Sequence, residues 1–174
     1  PTFAAKWLVP RLANFNDQHP EINVRVDARL DAIDDFDREN IHVAICLGDG
    51  NYPGMRVDKI VDEEVAPACS PALTENSHPF PIKSPEDLKH HRLLRVDWGD
   101  LTDPPTWKKW FNHMNVYNIP TQRGPTFTIE YLAISAALAG QGLVLASTLI
   151  IQDDLSANRL VQPFRNFIPS NSAF

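Results

Sequence analysis

IHVAICLGDGNYPG, residues 41–54, decides the reading of the fold: a nearly continuous apolar run empties directly into a glycine-rich, acidic loop. Such a run suits a strand buried on both faces, as in a parallel sheet. In open α/β sheets, ligands sit in the crevice beyond the carboxyl ends of the strands, where glycine lets backbone amides approach a bound group. The stretch therefore points to a small-molecule receptor.

Upstream, Thr2 is placed to cap a helix reaching about Gln18, with Leu8, Leu12 and Phe15 as its buried stripe and Pro10 as a kink. Ile22, Val24 and Val26 alternate with Asn23, Arg25 and Asp27, the period of a half-buried strand. Asp34 or Asp35 can cap a short helical turn leading to Asn40. Strand-like and helix-like segments in alternation imply a sheet with helices on its faces.

Downstream, Arg56 to Ser70 reads as two short strands. Ser70-Pro71 and Ser84-Pro85 are helix starts, the second reinforced by Glu86 and Asp87 in its first turn. Leu93 to Val96 is a brief buried strand, and Asp103-Pro104 another capping pair. Trp107, Trp110, Phe111 and Met114 fall on one face of a helix, a spacing that favours core packing over an aromatic ligand box. Thr126 or Thr128 caps a helix through Leu132, Ala136 and Leu138 that stops at Gly140, and Gly142 opens a strand ending at Ser147. A further helix through Leu149 and Leu155 leads to a final strand over Arg159–Pro163.

The 174 residues, 43% hydrophobic and 22% charged, are enough for one substantial core or two small lobes. A net charge of -6 argues against nucleic-acid binding by these residues alone, because phosphate recognition needs clustered Lys and Arg. Cys46, in the expected buried strand, and Cys69 are too few for a disulfide framework, which fits a reducing, cytoplasmic setting. No run approaches the roughly 18 apolar residues that a membrane span needs. The chain opens on Pro1 rather than methionine and closes just after an expected loop, so it reads as a fragment.

Signals for catalysis are weak. His42 and Cys46 stand roughly 13 Å apart on a strand and cannot hydrogen-bond. His90 and His91 diverge on a helix and read as surface histidines. There is no HExxH, GxxxxGK or GxSxG motif, and Gly48-Asp49-Gly50 and Gly140-Gln141-Gly142 lack the dinucleotide spacing. We expect no enzyme, metal or cofactor. Helix starts at Thr2 and Thr128 either cap their helices or receive an anion. Asp31, Asp35 and Asp49 either bind an ammonium or hydroxyl group or are solvated. Glu130 stabilises a helix dipole while opposing a bound anion, and Asp97 and Trp98 are placed to edge a pocket.

Three segments together carry a family resemblance: TFAAKWLVPRL at 2–12, HVAICLGDGNYPGM at 42–55, and AALAGQGLVLAS at 136–147 followed by RLVQPF at 159–164. They resemble the effector-binding domain of LysR-type transcriptional regulators, in the subgroup of the glycine-cleavage activator and the β-lactamase regulator. The resemblance implies two Rossmann-like α/β lobes of the type II periplasmic-binding-protein fold with two crossovers, truncated at both ends. Lobe I would span 1–64 and 163–174, and lobe II 65–162, with an effector bound between them. The family's winged helix-turn-helix DNA-binding domain is absent from the 174 residues, so DNA would be reached only through it.

Carried over by position, the resemblance implies effector contacts at Thr2, Phe3, Asp31, Asp35, Cys46 and Gly48 from lobe I. From lobe II it implies Phe127, Thr128, Ile129, Ser147 and Thr148. Relatives often have arginine where Cys46 stands and Asp-Ser-Ser where Thr128-Ile129-Glu130 stands, so the ligand class can differ here. The implied partners are a polar small metabolite and further copies of the chain, as a homodimer or homotetramer. Trp7, Val24 and Tyr131 are candidate contacts between copies, with core packing the alternative for Trp7 and Tyr131. A solute-binding protein of a transporter is the competing reading of the same bilobed fold.

Overall fold

The structure is a computed structural model and describes residues 1–30, 36–99, 101, 103–168 and 172–174. It divides into two compact units. Unit one holds Pro1, Phe3–Glu63 and Asn171–Phe174; unit two holds Thr2 and Glu64–Ser170.

Unit two contains the sheet. Its strands β1 (Val65–Ala68), β2 (Leu93–Val96), β3 (Thr126–Phe127) and β4 (Leu143–Ser147) run in the order β1-β4-β2-β3. β1 is antiparallel to β4, whereas β2 is parallel to both β4 and β3. Parallel neighbours need crossovers, and the chain supplies α3 (Trp107–His113) between β2 and β3 and α4 (Glu130–Leu138) between β3 and β4. β1 and β4 are buried along their whole length, which is why both read as continuous apolar runs.

Strand alternation sends Leu93, Leu143 and Leu145 toward α3, where they join Trp107, Trp110 and Phe111 in one buried cluster. The Trp107 indole N–H donates to the Leu94 carbonyl at 3.0 Å, and that of Trp110 donates to the Asn166 carbonyl at 2.9 Å. Both large rings are therefore buried with their polar atoms satisfied. The tryptophan stripe packs as core, as its spacing indicates. α4 is buried through Ala133, Ile134, Ala136 and Ala137 and packs on β2 and β4. α5 (Gln152–Ser156) carries a buried carboxylate in its first turn, Asp154, which accepts from the Arg159 guanidinium at 2.6 and 2.8 Å.

Helix ends follow local chemistry only in part. Ser84 and Asp87 form a reciprocal capping box, but the turn that follows, Pro85–His90, is 3₁₀ rather than α, as is Pro71–Leu73. Asp103 is not a cap; Thr106 fills that position on α3, accepting from the Lys109 amide, and Asp103 instead pairs with the Lys109 ammonium. Neither Thr126 nor Thr128 caps α4, because Thr126 lies in β3 and Ile129 occupies the cap position. The helix with Leu155 begins only at Gln152, so Leu149 lies in the preceding turn. Arg159–Pro163 forms no ladder beyond a single bridge between Val161 and Cys69.

Unit one departs further from expectation. Helical backbone runs from Thr2 to Gln18 as a π-helical turn, Ala4–Leu8, followed by α1 (Val9–Gln18). The turn lies just before Pro10, whose ring would clash with the carbonyl four residues back in a regular helix. Leu8 and Leu12 are only half-buried and Phe15 is exposed, so the expected stripe is not a core face. α2 (Phe36–Glu39) is short and holds Arg29 through Glu39.

The run Ile41–Gly54 is not a buried strand. Val43 is 77% exposed, Cys46 is exposed, and only Gly48 pairs, with Ala173. Ile22, Val24 and Val26 lie exposed outside any ladder, and the first of the two strands expected in Arg56–Ser70 does not form. Strands exist by satisfying one another's amides and carbonyls. Among the described residues, these segments find at most isolated bridges, Ala173 pairing with Gly48 and with Asp62, and no continuous ladder.

Candidate functional site

The start of α4 gathers several of the residues that the resemblance implicates in effector contact. β3 delivers Phe127, whose carbonyl accepts from the Asp97 amide at 2.8 Å, and the chain then turns through exposed Thr128 into Ile129. Ile129 has no side-chain acceptor for the orphan amides that open a helix. The missing acceptor comes from far along the sequence: the Tyr131 amide donates to the Thr2 hydroxyl oxygen at 3.2 Å. Thr2 is 7% exposed. Of its two readings, cap of its own helix or ligand contact, the first does not hold, because that helix takes no side-chain cap bond. Glu130 sits in the first turn of α4, where its charge opposes a second anion.

Ser147 and Thr148 end β4. Ser147 is fully buried, while the Thr148 hydroxyl accepts from the Gln162 side-chain amide at 3.0 Å and its backbone amide donates to Glu64. Thr2, Phe127, Thr128, Ile129, Ser147 and Thr148 thus all belong to unit two. The direct bond among these elements joins Thr2 to the α4 start.

In unit one, Phe3 is buried between the rings of Trp7 and Phe174, each 5.0 Å away centroid to centroid. Gly48 exchanges both backbone hydrogen bonds with Ala173, at 3.1 and 2.8 Å. The Tyr52 hydroxyl rests against Gly48, a contact with no local signal in the residue pattern, since only a turn through Asp49 and Asn51 brings the ring back. Burial, then the nearby Cys46 and Asp49, pushes the Tyr52 phenol above its usual range. Asp31 and Asp35 lie outside the described residues.

Trp7 is half-buried, with the Arg11 guanidinium 4.8 Å above its ring; Val24 and Tyr131 are exposed. Trp98 borders a hollow in unit two, and Asp97 does not.

His91 is not a surface residue. It is buried, its Nε2–H donates to the Phe80 carbonyl at 2.8 Å, and its ring stacks on His78. Burial pushes the Cys69 thiol up to about 12, which removes it from thiolate chemistry at neutral pH. Among the described residues, no group of three His, Cys, Asp or Glu side chains is placed to hold a metal, and no helix is long and apolar enough to cross a membrane.

The model of the LysR substrate binding domain matches residues 1–174. The chain is 41% identical to the glycine cleavage system transcriptional activator of Escherichia coli K12, the match covering all of this chain and 54% of that protein. It thus spans about half the length of such relatives. It is similar in structure to the AmpR effector-binding domain of Citrobacter freundii, with a TM-score of 0.77 at 24% identity over 99% of this chain and 80% of that one. The AmpR effector domain of Pseudomonas aeruginosa gives a TM-score of 0.74 at 27% identity, over 99% and 79%.

Proposed function

The chain belongs to the LysR substrate-binding-domain family, and we propose that it senses a small polar metabolite through a site that includes Thr2 and the start of α4. Its fold is the α/β two-lobed, periplasmic-binding-protein-like one, and its role in bacterial transcription regulation is effector binding rather than catalysis. The observation that carries the site is the Thr2–Tyr131 hydrogen bond. It sets a hydroxyl, itself able to donate, at the first turn of a nine-residue helix.

A carboxylate arriving there would take the Tyr131 amide and the Thr2 hydroxyl proton together. A helix start is worth about 0.3–1 kcal/mol to an anion, and up to about 2 where partly buried. Glu130 in the same turn favours a ligand that also carries an ammonium or hydroxyl group. Phe127, Thr128, Ile129, Ser147 and Thr148 complete the proposed contacts in unit two, and Phe3, Asp31, Asp35, Cys46 and Gly48 those in unit one.

The effector acts by binding one conformational state more tightly than another, a coupling of about 1–3 kcal/mol in typical cases. The signal passes to a DNA-binding segment of the full-length protein, in the cytoplasm, in a dimer or tetramer that uses Trp7, Val24 and Tyr131. Calorimetric titration of the chain with a panel of small amino and hydroxy acids tests the site. Thr2→Val removes both the donor and the acceptor of Tyr131; we expect binding to weaken about tenfold with the circular dichroism spectrum unchanged. Unaltered affinity would take Thr2 out of the site.

A further inference from the structure

Unit two carries a hollow of about 290 Å³ on the α3 face of the sheet. That is close to the lower end of small-molecule sites, about 300–1,000 Å³, and suits a single ring with a short acidic arm. Leu145 of β4 and the buried Trp107 ring give it an apolar lining, and Trp98 adds a second ring. No carboxylate lines it among the described residues, whereas two cations do, Arg95 and Lys108.

Arg95 is the informative group. Its Nη1 donates to the Gln122 side-chain carbonyl at 2.5 Å and its Nη2 to the Gly124 carbonyl at 3.0 Å, both neutral acceptors. Its Nε is buried with no partner among the described residues, and no ion pair there involves Arg95. Cations drawn out of water are ordinarily paired with an anion, because desolvation is otherwise uncompensated. Here a half-buried guanidinium bonded to neutral acceptors lines the same hollow as two aromatic rings. A planar guanidinium fork matches a carboxylate, and tryptophan faces match a flat apolar body.

We propose that this hollow is a second small-molecule site, taking a planar aromatic carboxylate whose ring lies among Trp98, Trp107 and Leu145 and whose carboxylate faces Arg95 and Lys108. Thr2 and Tyr131 do not line it, so the site stands apart from the one proposed at the start of α4.

The test is a titration of the chain with phenylacetate, followed by heteronuclear NMR, with phenylacetamide as the uncharged twin. We expect saturable shifts at the indole resonances of Trp98 and Trp107 and at least tenfold weaker binding of the amide. Arg95→Gln should weaken phenylacetate binding at least tenfold. Lys108 is exposed on α3, so Lys108→Gln removes charge without touching the core and should weaken binding several-fold. Thr2→Val should leave it unchanged. The proposal is overturned by absence of saturation up to about 10 mM, by equal affinity for acid and amide, or by wild-type affinity in Lys108→Gln.

Discussion

The buried imidazole of His91 makes unit two sensitive to mild acid. Burial, the largest influence, holds His91 below its ordinary 6.5, helped by His78 and His90 and opposed by the Phe80 carbonyl and Asp87. Above pH 6.5 the ring is neutral in both folded and unfolded chains, so its contribution is complete. As pH falls below that value the unfolded chain takes up the proton first, and stability is lost downward through the lowered folded value. Asp87 acts in a lower window. The Lys83 and Ser84 amides hold its carboxylate below 3.8, so its contribution is present above 3.8 and lost only in stronger acid. We therefore expect His91→Gln, which can still donate to Phe80, to shrink the drop in melting temperature between about pH 7.5 and 5. A drop as large as that of the unaltered chain would refute the assignment. Two glycines give a steric contrast at the same scale. A Cβ on Gly142 would run into the Arg92 carbonyl, fixed backbone where β4 joins β2, whereas one on Gly48 would meet only the end of the Tyr52 side chain. Gly142→Ala should cost about 3 kcal/mol or more and Gly48→Ala under about 1, as read from urea denaturation. None of these contacts shows in the sequence: His91 looked like half of a surface pair because its burial depends on the loop carrying His78 and Phe80.

Elements were legible where their signal is local. The Trp107, Trp110 and Phe111 stripe needs nothing beyond helical spacing to read as core, and all three rings are buried. Gly140 closes α4 as its position indicates. Its φ is +72°, its amide bonds to the Ala137 carbonyl at 3.0 Å, and the Gln141 amide bonds to that of Ala136, also at 3.0 Å. Gly140→Ala should cost about 1 kcal/mol, because it forces a Cβ into a left-handed turn; a loss below a few tenths in chemical denaturation would contradict this. The opposite end of α4 was misread for a physical reason. A cap is recognised from the residues just before a helix, but this one is supplied by Thr2, 129 positions away. Apolar pattern likewise marks two segments as strands, Ile22–Val26 by alternation and the run opening at Ile41 by continuity. Such a pattern reports side-chain preference and not whether a neighbour is present to complete the ladder.

At the scale of the whole chain, the two units differ in how they are finished. Unit two has a four-stranded sheet with a closed core, whereas unit one leaves Ile22, Val24 and Val26 in the open, Val24 being 43% exposed. Exposed apolar side chains in one segment favour association between copies. We expect the chain to sediment as a dimer or larger species and Val24→Lys to shift it toward monomer, with little change in melting temperature because Val24 adds little to the fold. An unchanged sedimentation coefficient would remove Val24 from the contact. The sequence by itself determined the family, through the order and spacing of three segments. It also determined the character of unit two, because buried parallel strands and helix stripes write their burial into local composition. Tertiary structure alone decided which hydroxyl meets the start of α4, which histidine is buried, and which carbonyls receive Arg95. Each of these joins residues far apart in the chain, and no local pattern records the position of a distant partner.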